Sequence, residues 1–292
     1  MTVAAAAAPS AIGGAVVVAV VLGSALLHAS WNALTHSARD RVATMTLMGL
    51  AYAACSLPLI CFAPAPARAA WPFVAASILL ETAYSYGLVL AYRYGDFSRT
   101  YPLARGTSPL LVALFATLVL GQRASPAQLL GIGVVCAGLL ILSFAEGLPR
   151  REDRAAVCAA IATGCTIAAY TIVDGLGVRR SGSVPGYIGW TFLGQGLGIA
   201  VVAIALRRRR FPEIFRADVR RSLLGAVVSM TAYSLVLWAQ TRGTLAGVAT
   251  LRETSILIGC LIGTILFRER FGRTRLLASL GVVTGILLIA HT

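Results

Sequence analysis

Four ionisable residues stand deep inside stretches that are otherwise apolar: Glu81, Arg105, Arg252 and Glu253. A charge at membrane depth costs at least ~2.5 kcal/mol on insertion scales, so each needs a partner or a wet cavity. Glu81 reads either as a carboxyl that couples transport to protons or as half of a structural ion pair. Arg105 and Arg252 offer planar forks that grip a carboxylate, phosphate or phosphonate; alternatively they neutralise a glutamate or bond carbonyls freed by Pro102 and Pro109. Glu253 is a second coupling candidate, and His28 is either a proton relay or a satisfied buried histidine.

Around these charges stand rings and amides that can stack on and hydrogen-bond an amphipathic solute: Trp31, Asn32, Tyr84, Tyr170, Gln195, Tyr233 and Trp238. Tyrosine and tryptophan serve equally as interfacial anchors. Pro102 and Pro109, with Gly106 between them, are expected to interrupt the fourth apolar stretch and make it the hinge. The ninth stretch has no proline; Gly259 and Gly263 form a small-x-x-x-small stripe suited to close helix packing or to a homodimer.

No chemistry beyond binding is expected of these groups. The chain contains no H-E-x-x-H, no G-x-S-x-G and no phosphate-cradling P-loop, which argues against a membrane-embedded enzyme and against direct ATP hydrolysis. Six cysteines lie in apolar runs without C-x-x-C spacing and read as packing residues, so neither metal nor cofactor is implied.

The elements that position these residues follow from composition. The 292 residues are 58% hydrophobic and 12% charged, with a mean hydropathy of +0.82. Soluble domains carry about 25% charged residues, so lipid is the main solvent here. The net charge of +14 comes entirely from arginines that border apolar runs, a topology signal and no nucleic-acid surface.

The spans predicted in the first half are Ile12 to Thr35, Val42 to Phe62, Trp71 to Ala91, Ser98 to Leu120 and Ala127 to Ala145. The second half gives Ala155 to Leu176, Gly186 to Leu206, Ser222 to Gln240, Thr244 to Phe267 and Arg275 to His291. Lipid requires internally bonded backbone, and runs of about 20 residues suit helices rather than barrel strands. The N-terminal run lacks the basic flank of a cleaved signal and reads as a retained first helix.

The halves repeat. Arg105, Thr107, Ser108 and Leu110 recur 147 positions later as Arg252, Thr254, Ser255 and Leu257, and Thr82 to Ser85 recurs as Thr231 to Ser234. Residues 1–146 and 155–292 are therefore expected to be tandem five-helix units. An odd number of spans inverts the second unit, the pattern of alternating-access carriers whose solute sits between the repeats.

Arg105 and Arg252 lie about 13 Å into spans that start from opposite faces. Glu81, roughly 21 Å from the loop joining spans 3 and 4, is more level with Arg252, about 17 Å deep from that face. A Glu81–Arg252 pair across the repeats is the expectation, with Glu253 as competitor.

Of the 25 basic residues, five lie in the loops after even-numbered spans (Arg68, Arg123, Arg179, Arg180 and Arg242) and two inside spans; the rest border the loops after odd-numbered spans. The positive-inside rule then puts both termini outside.

The segments Tyr101-Pro102-Leu103-Ala104-Arg105-Gly106-Thr107-Ser108-Pro109 and His28-Ala29-Ser30-Trp31-Asn32, with the tandem halves, resemble the drug/metabolite transporter superfamily, specifically bacterial carriers with two EamA domains. The Gly-Glu-Arg-like turns of that family read here as Gly121-Gln122-Arg123 and Arg268-Glu269-Arg270, each departing by one residue. The resemblance implies a multi-pass protein of the bacterial inner membrane that exports a small solute, driven by protons or exchange, with spans 1, 3, 4, 6, 8 and 9 lining a cavity. It also implies termini in the cytoplasm, against the arginine bias. The deep arginines favour amino acids, organic acids or phosphonates; a non-transporting receptor or assembly factor is the alternative class.

Overall fold

The computed structural model describes residues 11–36, 40–94, 97–122, 125–144, 153–207, 218–266 and 273–290. The first half forms α1 (Ala11–His36), α2 (Arg41–Phe62), α3 (Trp71–Tyr94), α4 (Phe97–Leu118) and α5 (Pro126–Ser143), with a short 3-10 turn, Arg68–Ala70, before α3. The second forms α6 (Arg154–Arg180), α7 (Val184–Arg207), α8 (Val219–Gln240), α9 (Leu245–Arg252), α10 (Thr254–Leu266) and α11 (Arg273–Ala290). On the described residues, six of these helices are long and apolar enough to cross a membrane: α1, α2, α5, α6, α7 and α8. The arginines at 39, 123, 150, 151, 208–210, 216, 268 and 270, and the turn at 268–270, lie outside the described residues.

Helix starts are set by short polar side chains. Asp40, Ser125, Asp218 and Thr244 each accept a hydrogen bond from the backbone N–H three residues on, at Ala43, Gln128, Arg221 and Gly247. Outward faces carry leucines such as Leu79 and Leu118 that remain exposed, as a lipid-facing surface requires.

The helices pair across the halves. The most extensive contacts are α2 with α7, α5 with α11, α3 with α6, α4 with α6, and α1 with α8. Exchanging each helix for its counterpart in the other half maps four of these pairs onto the set, α1–α8 becoming α6–α3, and turns α4–α6 into the contact of α9 and α10 with α1. Where α5 meets α11, backbones touch. A Cβ on Gly131 would stand 2.7 Å from the Gly285 carbonyl oxygen, and one on Gly285 would stand 2.6 Å from that of Gly131.

The expected interruption of the fourth span does not occur: α4 is continuous through Pro102, Gly106 and Pro109. Each proline removes only one rung, and α4 is held between α5 and α6. The ninth span breaks instead, at Glu253 between α9 and α10. There the Thr254 hydroxyl donates to the Leu251 carbonyl at 2.6 Å. The N–H groups of Glu253 and Ile256 reach the carbonyls three residues back, Thr250 at 3.0 Å and Glu253 at 2.9 Å, which tightens the turn. A Cβ added at Gly259 would meet nothing within 4 Å among the described residues. The side of Gly263 lies outside the description.

Candidate functional site

A cavity of about 90 Å³ opens among α1, α2, α3, α6, α7, α8 and α9. Its charged wall groups are Glu81 from α3 and Arg252 from α9, with His28 from α1 beside them. Among the described residues α4 contributes none to the lining, while α2 and α7 contribute Met45, Met48, Tyr52, Phe192, Gln195 and Ile199. Arg105, the deep charge of α4, is turned instead to Glu253.

Arg252 ends α9 at the helix break and is 4% exposed. Its Nη2 donates to the Tyr170 hydroxyl at 3.0 Å, and the guanidinium carbon sits 5.8 Å from the ring centroids of both Tyr170 and Tyr233. The buried Nε makes no hydrogen bond among the described residues. Glu81 accepts a hydrogen bond of 2.6 Å from Gln195 Nε2. Thus Glu81 and Arg252 face one cavity, yet they form no direct ion pair among the described residues; each is held by a neutral side chain instead.

Glu253 competes for a different arginine. Its Oε2 lies 2.9 Å from Arg105 Nε, and Arg105 Nη2 donates to Ser255 Oγ at 3.2 Å. Neither side chain of the pair is in the cavity wall, so the two deep arginines, matched by sequence repetition, have diverged in surroundings.

The aromatic residues form a chain of edge-to-face contacts. Tyr84 meets Tyr170 at 5.5 Å between centroids, Tyr170 meets Tyr233 at 6.0 Å, Tyr233 meets Phe192 at 6.2 Å, and Phe192 meets Tyr52 at 5.2 Å. Trp31 also lines the cavity and donates from Nε1 to His28 Nδ1 at 3.3 Å. Two predicted residues lie elsewhere. Asn32 is not in the cavity wall and donates to the His28 carbonyl at 2.8 Å. Trp238 packs beside the core around Val236 and carries the Arg242 guanidinium 4.9 Å over its ring.

Sequence reasoning passed over Asp174, which is 0% exposed on α6. Its Oδ1 accepts from the Tyr187 hydroxyl at 2.9 Å, its Oδ2 from the Tyr233 hydroxyl, and Ser77 is a third hydrogen-bond neighbour. The signal was available: an acid in an apolar run. The sixth span was expected to end at Leu176, which made Asp174 look terminal, whereas α6 continues to Arg180.

The arrangement can bind but has little to react with. A guanidinium among ring faces suits an anionic group attached to an apolar or aromatic body. The family model that matches residues 15–144 and again 154–291 is that of the EamA-like transporters. The chain belongs to the EamA-like transporter family. Its apolar helices are accordingly those of a multi-pass membrane protein. Over 55 residues this EamA chain is 44% identical to a multidrug transporter of Pseudomonas aeruginosa, covering 19% of this chain and 50% of that one. The chain thus spans about half the length of that curated relative. A protein of known crystal structure shares the EamA chain's fold with a TM-score of 0.70, at 16% identity and over 96% of both chains.

Proposed function

We propose that this EamA chain is a secondary carrier that moves a small amphipathic solute bearing an anionic group, an amino acid, organic acid or phosphonate, out of the cell across the bacterial inner membrane by alternating access. The carrying observation is Arg252, buried, stacked against Tyr170 and Tyr233, and facing a cavity with an Nε that has no hydrogen bond among the described residues. A desolvated guanidinium of this kind is an anion site with an aromatic floor. The cavity draws on both halves, as expected of a ten-helix carrier of two inverted five-helix units. The exchangeable helix pairing supports that plan. The multidrug transporter relative supports an outward direction.

The test is solute flux in proteoliposomes across a panel of amino acids, organic acids and phosphonates, with and without a pH gradient. Saturable flux of one anionic class, abolished by Arg252→Ala, is expected. Flux confined to cationic solutes, or unaffected by Arg252→Ala, overturns the reading.

A further inference from the structure

The cavity stops short of the end of the molecule where the connections after α2, α6 and α8 come together. Its lining reaches furthest in that direction at Tyr170, Phe192 and Tyr233, and α8 runs on from Tyr233 to Gln240 for about 10 Å more. The intervening layer holds Asp174, Tyr187, Leu237, Gln240 and Leu245, each 0% exposed.

Polar contacts hold the rim of this layer together. The Ala67 N–H donates to the Ser181 carbonyl at 2.8 Å, and Gln128 Nε2 donates to Thr244 Oγ1 at 3.0 Å. Arg179, exposed at the end of α6, donates from Nε to the Gln240 carbonyl at 2.7 Å and from Nη2 to the Gly243 carbonyl at 2.6 Å. One side chain thus holds the α8–α9 turn against α6 through two charge-assisted hydrogen bonds.

The layer is not built like a permanent core. Thr171 Oγ1 and Gln240 Oε1 are buried without a hydrogen bond among the described residues, and Gln240 Nε2 reaches the Thr171 carbonyl only at 3.4 Å. Unpaired buried polar atoms destabilise the packed state, and water satisfies them once the packing opens. On α6, glycines permit the close approach: a Cβ on Gly177 would stand 2.6 Å from Phe73 Cβ, and one on Gly175 would collide with the Leu245 side chain. Surfaces of this kind suit helices that meet and separate.

A single carboxylate joins the layer to the solute site. Asp174 Oδ1 accepts from the Tyr187 hydroxyl at 2.9 Å, inside the layer. Its Oδ2 accepts from the Tyr233 hydroxyl, and the Tyr233 ring centroid lies 5.8 Å from the Arg252 guanidinium carbon. An anion that reaches Arg252 between Tyr170 and Tyr233 displaces that ring and pulls on its bond to Asp174.

We propose that the layer around Asp174 is the gate at this end of the molecule, latched at its rim by Arg179 and tied to the solute site by the Tyr233–Asp174 hydrogen bond, so that an anion on Arg252 loosens it. Breaking either the latch or the tie shifts the population towards the open gate.

Release by the solute rests on the carrier reading, but the latch and the tie are measured without any solute. The experiment uses the full chain in lipid nanodiscs, where a charged, membrane-impermeant methanethiosulfonate reagent reaches both faces. Leu237→Cys reports from the gate and Ser229→Cys from the cavity wall, each read at its own site by peptide mass spectrometry. Position 237 is expected to react slowly, and about tenfold faster when Arg179→Ala is added, the scale of a charge-assisted hydrogen bond. Tyr233→Phe, which keeps the ring and removes the tie, should accelerate it as well. Position 229 should slow under Arg179→Ala, because opening one end of an alternating carrier closes the other. An unchanged rate at 237 under Arg179→Ala overturns the gate, as does acceleration at both positions, which would make Arg179 a general brace. An unchanged rate at 237 under Tyr233→Phe overturns the tie. A steady rate at 229 beside the expected rise at 237 upholds the gate and counts against the carrier reading alone.

Discussion

Arg105 on α4 and Glu253 at the junction of α9 and α10 meet at 2.9 Å, each residue only 1% exposed. The contact ties the first half of the chain to the one broken helix among the described residues of the second.

Removing either partner leaves a buried charge without its counterpart, at a cost of about 3–5 kcal/mol. Arg105→Met and Glu253→Gln should each lower the melting temperature of the purified protein in detergent. The double variant should recover most of the loss. Additive losses in the double variant would mean the two side chains do not act as a pair.

Arg252→Lys keeps the charge but not the planar fork. For the solute that the wild type carries, KM is expected to rise about tenfold or more, the scale of a charge-assisted hydrogen bond. Unchanged KM would move the anion site away from Arg252.

Tyr170→Phe deletes the hydroxyl that receives the 3.0 Å bond from Arg252 but retains the ring 5.8 Å from it. Binding should weaken by less than in Tyr170→Ala, which loses both. Isothermal titration with the transported solute separates the two contributions, and equal losses would assign the whole effect to the hydroxyl.

Glycine substitutions should differ in sign by location. Gly131→Val forces side-chain atoms against the Gly285 carbonyl, and overpacking of this kind costs about 1–3 kcal/mol. Gly259→Ala meets nothing within 4 Å and gains up to about 1 kcal/mol of helix propensity. Thermal unfolding monitored by tryptophan fluorescence should place the first below and the second at or above the wild type. A loss at Gly259 would mean that another surface packs there.

Helix positions were legible because apolar run length and flanking arginines are local signals that lipid makes strict. Glu81, Arg252, Tyr84, Tyr170 and Tyr233 were found by chemical cost at depth and by repetition, and they do face one cavity. What was illegible depended on direction around a helix axis. Nothing in the residue types says that Arg105 turns to Glu253 while its repeat mate Arg252 turns to Tyr170. Proline content also misled on the break: side-chain bonding by Thr254 and the pull on Glu253 outweighed one missing rung at Pro102 or Pro109. Asp174 was hidden by an end assignment four residues short.

The cavity has a kinetic consequence. At about 90 Å³ it is smaller than the ~150 Å³ void that admits benzene. A solute larger than this space docks as the walls part. Docking and helix displacement are then one event, so the measured affinity is discounted by the work of opening.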